Sequence, residues 1–284
     1  MSTENSLYFR SLVSGGVAGL VVDIVLFPID TVKTRLQSES GFWKTGGFRG
    51  VYKGLAPAAA GSAPTAALFF CTYESFKSYL SKASGNQNLP VIHMVSASIA
   101  EVVACLIRVP VEIAKQRRQA MFASSEQSAF KILYNSVKAE GVRKGMYRGF
   151  GSTIMREIPF SFIQFPLWEY FKSNWTEVTG TALTPVSVAL CGAIAGGISA
   201  GITTPLDVAK TRIMLSHQVG GKRLGVFKIL SGIYKEKGVQ GIFAGFTPRV
   251  LWITLGGAIF FGFYDLTSRL IDSNRVDNGS SFSV

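Results

Sequence analysis

Three octapeptides decide the architecture of this chain: Pro28-Ile29-Asp30-Thr31-Val32-Lys33-Thr34-Arg35, Pro110-Val111-Glu112-Ile113-Ala114-Lys115-Gln116-Arg117 and Pro205-Leu206-Asp207-Val208-Ala209-Lys210-Thr211-Arg212. Each closes an apolar stretch. Each is followed downstream by a second element: Gly50-Val51-Tyr52-Lys53-Gly54, Gly145-Met146-Tyr147-Arg148-Gly149 and Gly241-Ile242-Phe243-Ala244-Gly245. The copies of the second element lie 95 and 96 residues apart, while the prolines lie 82 and 95 apart, so the first repeat has a loop shorter by 13 residues. Self-similarity at this period governs the fold. It divides the chain into repeats 1–85, 86–180 and 181–284, each read as helix, loop, helix.

The composition places these helices in a membrane. A mean hydropathy of +0.29 with 16% charged residues is too apolar for an ordinary soluble domain of 284 residues. The stretches Gly54 to Tyr73, Val178 to Leu206 and Val250 to Tyr264 approach or exceed the roughly 20 residues needed to cross hydrocarbon. Three further spans carry internal charge or proline: Asp23 in the first, Glu101 in the third, and Pro159 and Pro166 after Arg156 in the fourth. Polar faces on such helices call for a shared wet cavity rather than lipid on every side. The expectation is an all-α membrane protein of six transmembrane helices in three pseudo-threefold repeats around that cavity.

The net charge of +12 follows topology. The connections Ser38 to Ala56, Ala120 to Ser152 and Ser216 to Phe246 hold 13 Lys or Arg against four acids, whereas the short connections around Lys82 and Glu177 hold almost none. The long loops are therefore expected on one side and both termini on the other. Basic residues spread in this way do not form the single face of a nucleic-acid binder. Cys71, Cys105 and Cys191 have no metal or disulfide spacing and read as packing residues, and His93 and His217 lie far apart. No nucleophile set, metal cluster or phosphate-cradling loop is present, so neither an enzyme nor a resident cofactor or metal is expected. The N-terminus has an early acid, Glu4, and no Arg-rich stretch, so no cleaved leader is expected.

A proline with an acid two residues on and a base three beyond that bends a helix end and sets both charges on one face. Three copies could form a ring of breakable ion pairs. On these residues the chain resembles the mitochondrial carrier family over essentially its whole length. The resemblance implies a matrix-side gate of Asp30, Lys33, Glu112, Lys115, Asp207 and Lys210, braced by Gln37 and Gln119, with Met214 at the third brace position. It also implies a cytoplasmic gate in Tyr73-Glu74-Ser75-Phe76-Lys77, Trp168-Glu169-Tyr170-Phe171-Lys172 and Tyr264-Asp265-Leu266-Thr267-Ser268. The gate residues there are Glu74, Lys77, Glu169, Lys172 and Asp265, and Ser268 stands where a base is expected, with Arg269 one position late. The first repeat lacks the acid–glycine pair seen as Glu140-Gly141. Location in the mitochondrial inner membrane, termini toward the intermembrane space, and function as a monomer in the lipid bilayer follow from the same resemblance.

An asymmetric substrate must be read where the symmetry breaks. Seven residues past the second-element glycine stand Gly61, Arg156 and Trp252. On the odd-numbered helices Asp23 lies seven residues before its gate acid, Glu101 eleven before and Arg108 four before, close to two, three and one helical turns. Arg156-Glu157 resembles the contact point of carriers of amino acids, since a guanidinium can grip an α-carboxylate while the carboxylate draws the α-ammonium. The extra acids Asp23, Glu101 and Glu157 suit additional positive charge, and Trp252 offers a face to a base or cation. With Ser62-Ala63-Pro64 and Arg156-Glu157-Ile158-Pro159-Phe160, these residues resemble the subgroup that imports S-adenosylmethionine in exchange for S-adenosylhomocysteine. The alternative is a carrier of basic amino acids of the ornithine, arginine or lysine type. The polar run 272–283 reads as a disordered end.

Overall fold

A computed structural model describes residues 2–83, 89–120, 128–180, 183–216 and 225–280. The described residues form helices and turns without strands. The first repeat contributes α1 (Ser2–Gln37) and α2 (Leu55–Ala83). The second contributes α3 (Leu89–Ala120), α4 (Ala129–Gly141) and α5 (Phe150–Thr179). The third contributes α6 (Pro185–Ile202), α7 (Thr204–Leu215), α8 (Val226–Ile242) and α9 (Phe246–Ser280). Among the described residues α2, α3 from Met94 onward and α6 are long and apolar enough to cross a membrane. The helices α1, α5 and α9 have 36, 30 and 35 residues, and at about 1.5 Å per residue each exceeds a hydrocarbon thickness of about 30 Å.

The motif proline acts differently in the three copies. Pro28 and Pro110 lie inside continuous helices. In the third copy the helix breaks at Thr203, and Pro205 opens α7, where its missing N–H is no loss. The connections also differ from simple loops. The second and third repeats contain α4 and α8, which the reading of each repeat as helix, loop, helix did not include. Residues 38–54 of the first repeat, 13 residues shorter by the proline spacing, form turns instead, held by Phe42 against Trp43 and Phe48 at ring distances of 5.1 and 4.9 Å. α4 is capped by Ser128, whose hydroxyl accepts the Lys131 N–H at 3.3 Å. It passes into one π-helical turn, Val142–Met146. That turn absorbs an extra residue: Gly141 and Gly145 are four apart, whereas Gly238 and Gly241 are three apart.

The chain divides into two compact units. One comprises Met1–Asp30, Phe162–Gly201 and Thr247–Val284; the other comprises Thr31–Ser161 and Ile202–Phe246. Within the first unit small residues bring helices together at Gly192, Gly196 and Gly197. A Cβ on Gly196 would lie 2.9 Å from Ile253, one on Gly197 2.8 Å from Thr254 Oγ1, and one on Gly192 3.5 Å from Trp168 Nε1. Gly19 has open space around it. The backbone of α9 continues to Ser280, so most of the run expected to be disordered is helical.

Within the second unit α2 packs along α3. Cys105, Val109, Ile113 and Met214 form a buried cluster flanked by Leu133 and Phe150. Gly61, buried on α2, lies so close to α3 that a Cβ would fall 2.5 Å from both methyls of Val111. Its level in the helix matches Arg156, but its place is structural. Gly61→Ala is expected to destabilise the protein by about 1–3 kcal/mol through overpacking. Thermal unfolding in detergent measures this, and Val111→Ala in the same chain should recover most of the loss.

Candidate functional site

The second and third motifs and the part of the first from Thr31 onward meet in the second unit. Lys33 Nζ lies 2.8 Å from Asp207 Oδ2, and Lys210 Nζ lies 2.7 Å from Glu112 Oε1. Both pairs run from the lysine of one repeat to the acid of the preceding repeat in cyclic order. Asp30 is the last residue of the first unit's opening segment, and Lys115 lies on α3 in the second unit.

The motif arginines run the other way and close a ring. Arg35 donates from Nε to the Gln119 carbonyl at 2.9 Å, Arg117 to the Met214 carbonyl at 3.3 Å, and Arg212 to the Gln37 carbonyl at 3.4 Å. Each bond reaches the brace position of the following repeat. The second-element glycines fit beneath the same residues with positive φ of 103°, 85° and 74° at Gly54, Gly149 and Gly245. A Cβ there would meet the Lys115 carbonyl at 3.0 Å, Met214 Cγ at 2.9 Å and Gln37 Cγ at 3.3 Å respectively. Glycine is required on both counts.

Buried guanidinium groups need compensation. Arg35 donates to the carbonyls of Gly47 at 2.6 Å and Arg49 at 2.7 Å, supplied by the glycine-rich turns of the first repeat. Arg117 instead donates to Ser136 and pairs with Glu140 at 3.7 Å, an acid that Arg148 also holds at 2.8 Å. The acid–glycine pair missing from the first repeat is thus replaced by carbonyls.

The braces act across repeats. Gln37 donates to Asp207 Oδ2 at 2.8 Å and accepts from Thr211 at 2.7 Å. Gln119 accepts from Thr34 at 3.0 Å and donates to Thr31 at 3.2 Å. Met214 is fully buried in the apolar cluster, with no side-chain group able to do either.

Above the ring, the residues read as substrate contacts form a chain of charges. Arg108 bonds Glu101 and stands 3.8 Å from Glu157 Oε1. Arg156 bonds the same Glu157 and approaches Asp207 Oδ1 with its Nε at 3.7 Å. Five charges therefore connect Glu101 to a motif acid, and Asp207 also holds Lys33 and Gln37. Asp23 and Trp252 belong to the first unit. At the level of Arg108 the other repeats place Leu26 and Thr203, both buried, so Arg108 is the charged group there.

The residues read as the cytoplasmic gate pair within their own helices. Lys77 lies 3.5 Å from Glu74 on α2, and Lys172 lies 2.7 Å from Glu169 on α5 while covering the Trp168 ring at 4.1 Å from its centre. The side chains of Asp265, Ser268 and Arg269 fall outside the described residues, as do those of His93 and His217.

Sequence comparison resolves what such a threefold constellation belongs to. The family described as "Mitochondrial carrier protein" matches residues 4–84, 86–179 and 181–275. The chain belongs to the mitochondrial carrier family. It is a transporter of the mitochondrial inner membrane with several membrane-crossing helices, not an enzyme. A protein of Drosophila melanogaster named "S-adenosylmethionine mitochondrial carrier protein homolog" is 66% identical over 272 residues, 95% of this chain and 96% of its own. Proteins named "Mitochondrial S-adenosylmethionine carrier protein" are 52% identical in Danio rerio over 93% of this chain and 98% of their own, and 51% identical in Mus musculus over 93% and 95%.

Sequence reasoning passed over several residues of this carrier's ring. Thr31, Thr34, Thr211 and Gln116 carry bonds around the ring, and the polar residue that Thr34, Gln116 and Thr211 place at one offset of the repeated octapeptide was the available signal. Glu140→Gln is expected to lower stability by about 1–3 kcal/mol, because Arg117 and Arg148 lose their shared carboxylate. Thermal unfolding checks this, with the exposed Glu39→Gln changing it little.

Proposed function

We propose that this carrier imports S-adenosylmethionine into the matrix in exchange for S-adenosylhomocysteine, by alternating access and as a monomer with both termini toward the intermembrane space. The observation that carries the reading is the run of charges Glu101, Arg108, Glu157, Arg156 and Asp207, which ties the asymmetric residues of the second repeat to a motif acid of the third. The names of the relatives in fly, fish and mouse point to the same substrate.

The chemistry suits a ligand with an amino-acid end, a sulfonium and an adenine. Arg156 takes the α-carboxylate, Glu157 and Glu101 face the ammonium and sulfonium, Asp23 adds negative charge, and Trp252 stacks the adenine. A carboxylate that captures Arg156 competes with Asp207 for it and so removes one tie between the second and third repeats. Binding can drive opening only if it favours the rearranged state, since equal affinity for both shifts nothing. The ion pairs across repeats at the motif ring, beside pairs confined to single helices at Glu74–Lys77 and Glu169–Lys172, suit a state with the matrix network made and the cytoplasmic network unmade.

Uptake of radiolabelled S-adenosylmethionine into liposomes holding the purified carrier tests the assignment, with and without internal S-adenosylhomocysteine. Saturable uptake stimulated by the internal ligand is expected, with Arg156→Ala reducing it at least tenfold. Trp252→Ala should raise KM by about 5- to 150-fold if the ring stacks the adenine, as base–aromatic contacts are worth about 1–3 kcal/mol. Competition by lysine or ornithine instead of adenosyl ligands would overturn the substrate in favour of basic amino acids.

A further inference from the structure

The seam between the second and third repeats is built differently from the seam between the first and third. At the seam between the first and third repeats, Lys33 pairs with Asp207, Gln37 of the lysine's repeat donates to that acid, and Thr211 of the acid's repeat donates to Gln37. Thr34 feeds Gln119 in the same manner. At the seam between the second and third repeats the lysine is Lys210 and the acid Glu112. Here the glutamine position holds Met214 and the threonine position holds Gln116. The amide has moved to the opposite helix.

We infer that Gln116 is the positioning residue that braces the Lys210–Glu112 pair, taking over from within α3 the work that Gln37 does from across its seam. Gln116 Nε2 donates to Glu112 Oε1 at 3.1 Å, the same oxygen that receives Lys210. Gln116 is buried, and neither its Oε1 nor the Glu112 Oε2 has a hydrogen bond among the described residues, so the bond from Nε2 to Glu112 Oε1 is what ties the amide to this carboxylate. The i,i+4 offset places the two side chains on one helical face. Met214, with neither donor nor acceptor of use here, fills the space with the Cys105, Val109 and Ile113 cluster.

The relocation has a consequence for movement. A brace from Gln37 to Asp207 must break when its two repeats part, but a brace from Gln116 to Glu112 lies within one helix and survives. Of the bonds made around the two lysine–acid pairs, the seam between the second and third repeats therefore gives up two fewer on opening, the one Gln37 makes to Asp207 and the one it receives from Thr211. This inference rests on the gate reading given above, and the test separates the two.

Unfolding temperatures in detergent, which involve no substrate, are measured for Gln116→Leu, Glu112→Gln and the double variant. Non-additive shifts are expected, and additive shifts overturn the inference. Exchange is then measured with S-adenosylmethionine as the probe for two double variants. Gln116→Thr with Met214→Gln rebuilds the arrangement of the other seam and should recover the unfolding temperature lost in Gln116→Leu. Its kcat should fall about five- to tenfold with KM unchanged, because the brace now spans the parting repeats. Gln116→Thr with Met214→Leu has no amide at either position and should not recover stability. Equal behaviour of these two double variants overturns the inference. Absence of uptake by the unmodified protein would sink the substrate assignment while leaving the thermal cycle to decide the role of Gln116.

Discussion

A guanidinium bonded to a main-chain carbonyl of the next repeat is the interaction on which this structure depends. Arg35, Arg117 and Arg212 each make it, and together they close a circuit of three. Because the acceptor is backbone, the circuit constrains the path of the chain more than the identity of the residue receiving the bond. That is why Met214 can stand where Gln37 and Gln119 stand without opening the ring. The glycines at 54, 149 and 245 are the other half of the same constraint, since any side chain there would push the acceptor residues away.

Two sets of bonds therefore pass around the ring in opposite senses. The arginines reach forward to carbonyls, and the lysines reach back to carboxylates. Bonds that end on side chains can be exchanged for other partners when a competing ligand arrives, while carbonyls remain where the helix holds them. Asp207 gathers several bonds of the exchangeable kind: it receives Lys33 and Gln37 and lies beside Arg156. Desolvating such a carboxylate costs several kcal/mol, so it is stable only while enough donors surround it. A site of this kind responds sharply to the removal of one cation.

Much of the architecture was legible because three copies of a motif average out the noise of any one. The lysine–acid pairs, the brace at Gln37 and the closeness of Arg156 to Glu157 all follow positions marked in the sequence. What was not legible has physical causes. Carbonyl acceptors carry no side-chain signature, so the arginine circuit and the compensation of Arg35 by the turn at 47–49 could not be read from residue types. Gly61 sits at a contact level by spacing but is turned to packing by its nearness to Val111. The helices α4 and α8 were hidden by their charge content, and the polar composition of 272–280 concealed a continuation of α9.

The single π-helical turn at Val142–Met146 carries one residue more than its counterpart, yet Tyr147, Arg148 and Gly149 still arrive in register. A helix that widens by one residue behaves as a splice that hides a length difference from everything beyond it. Repeats descended from a common unit can then gain or lose residues on their own schedules. Divergence in length and preservation of symmetry cease to be opposing demands.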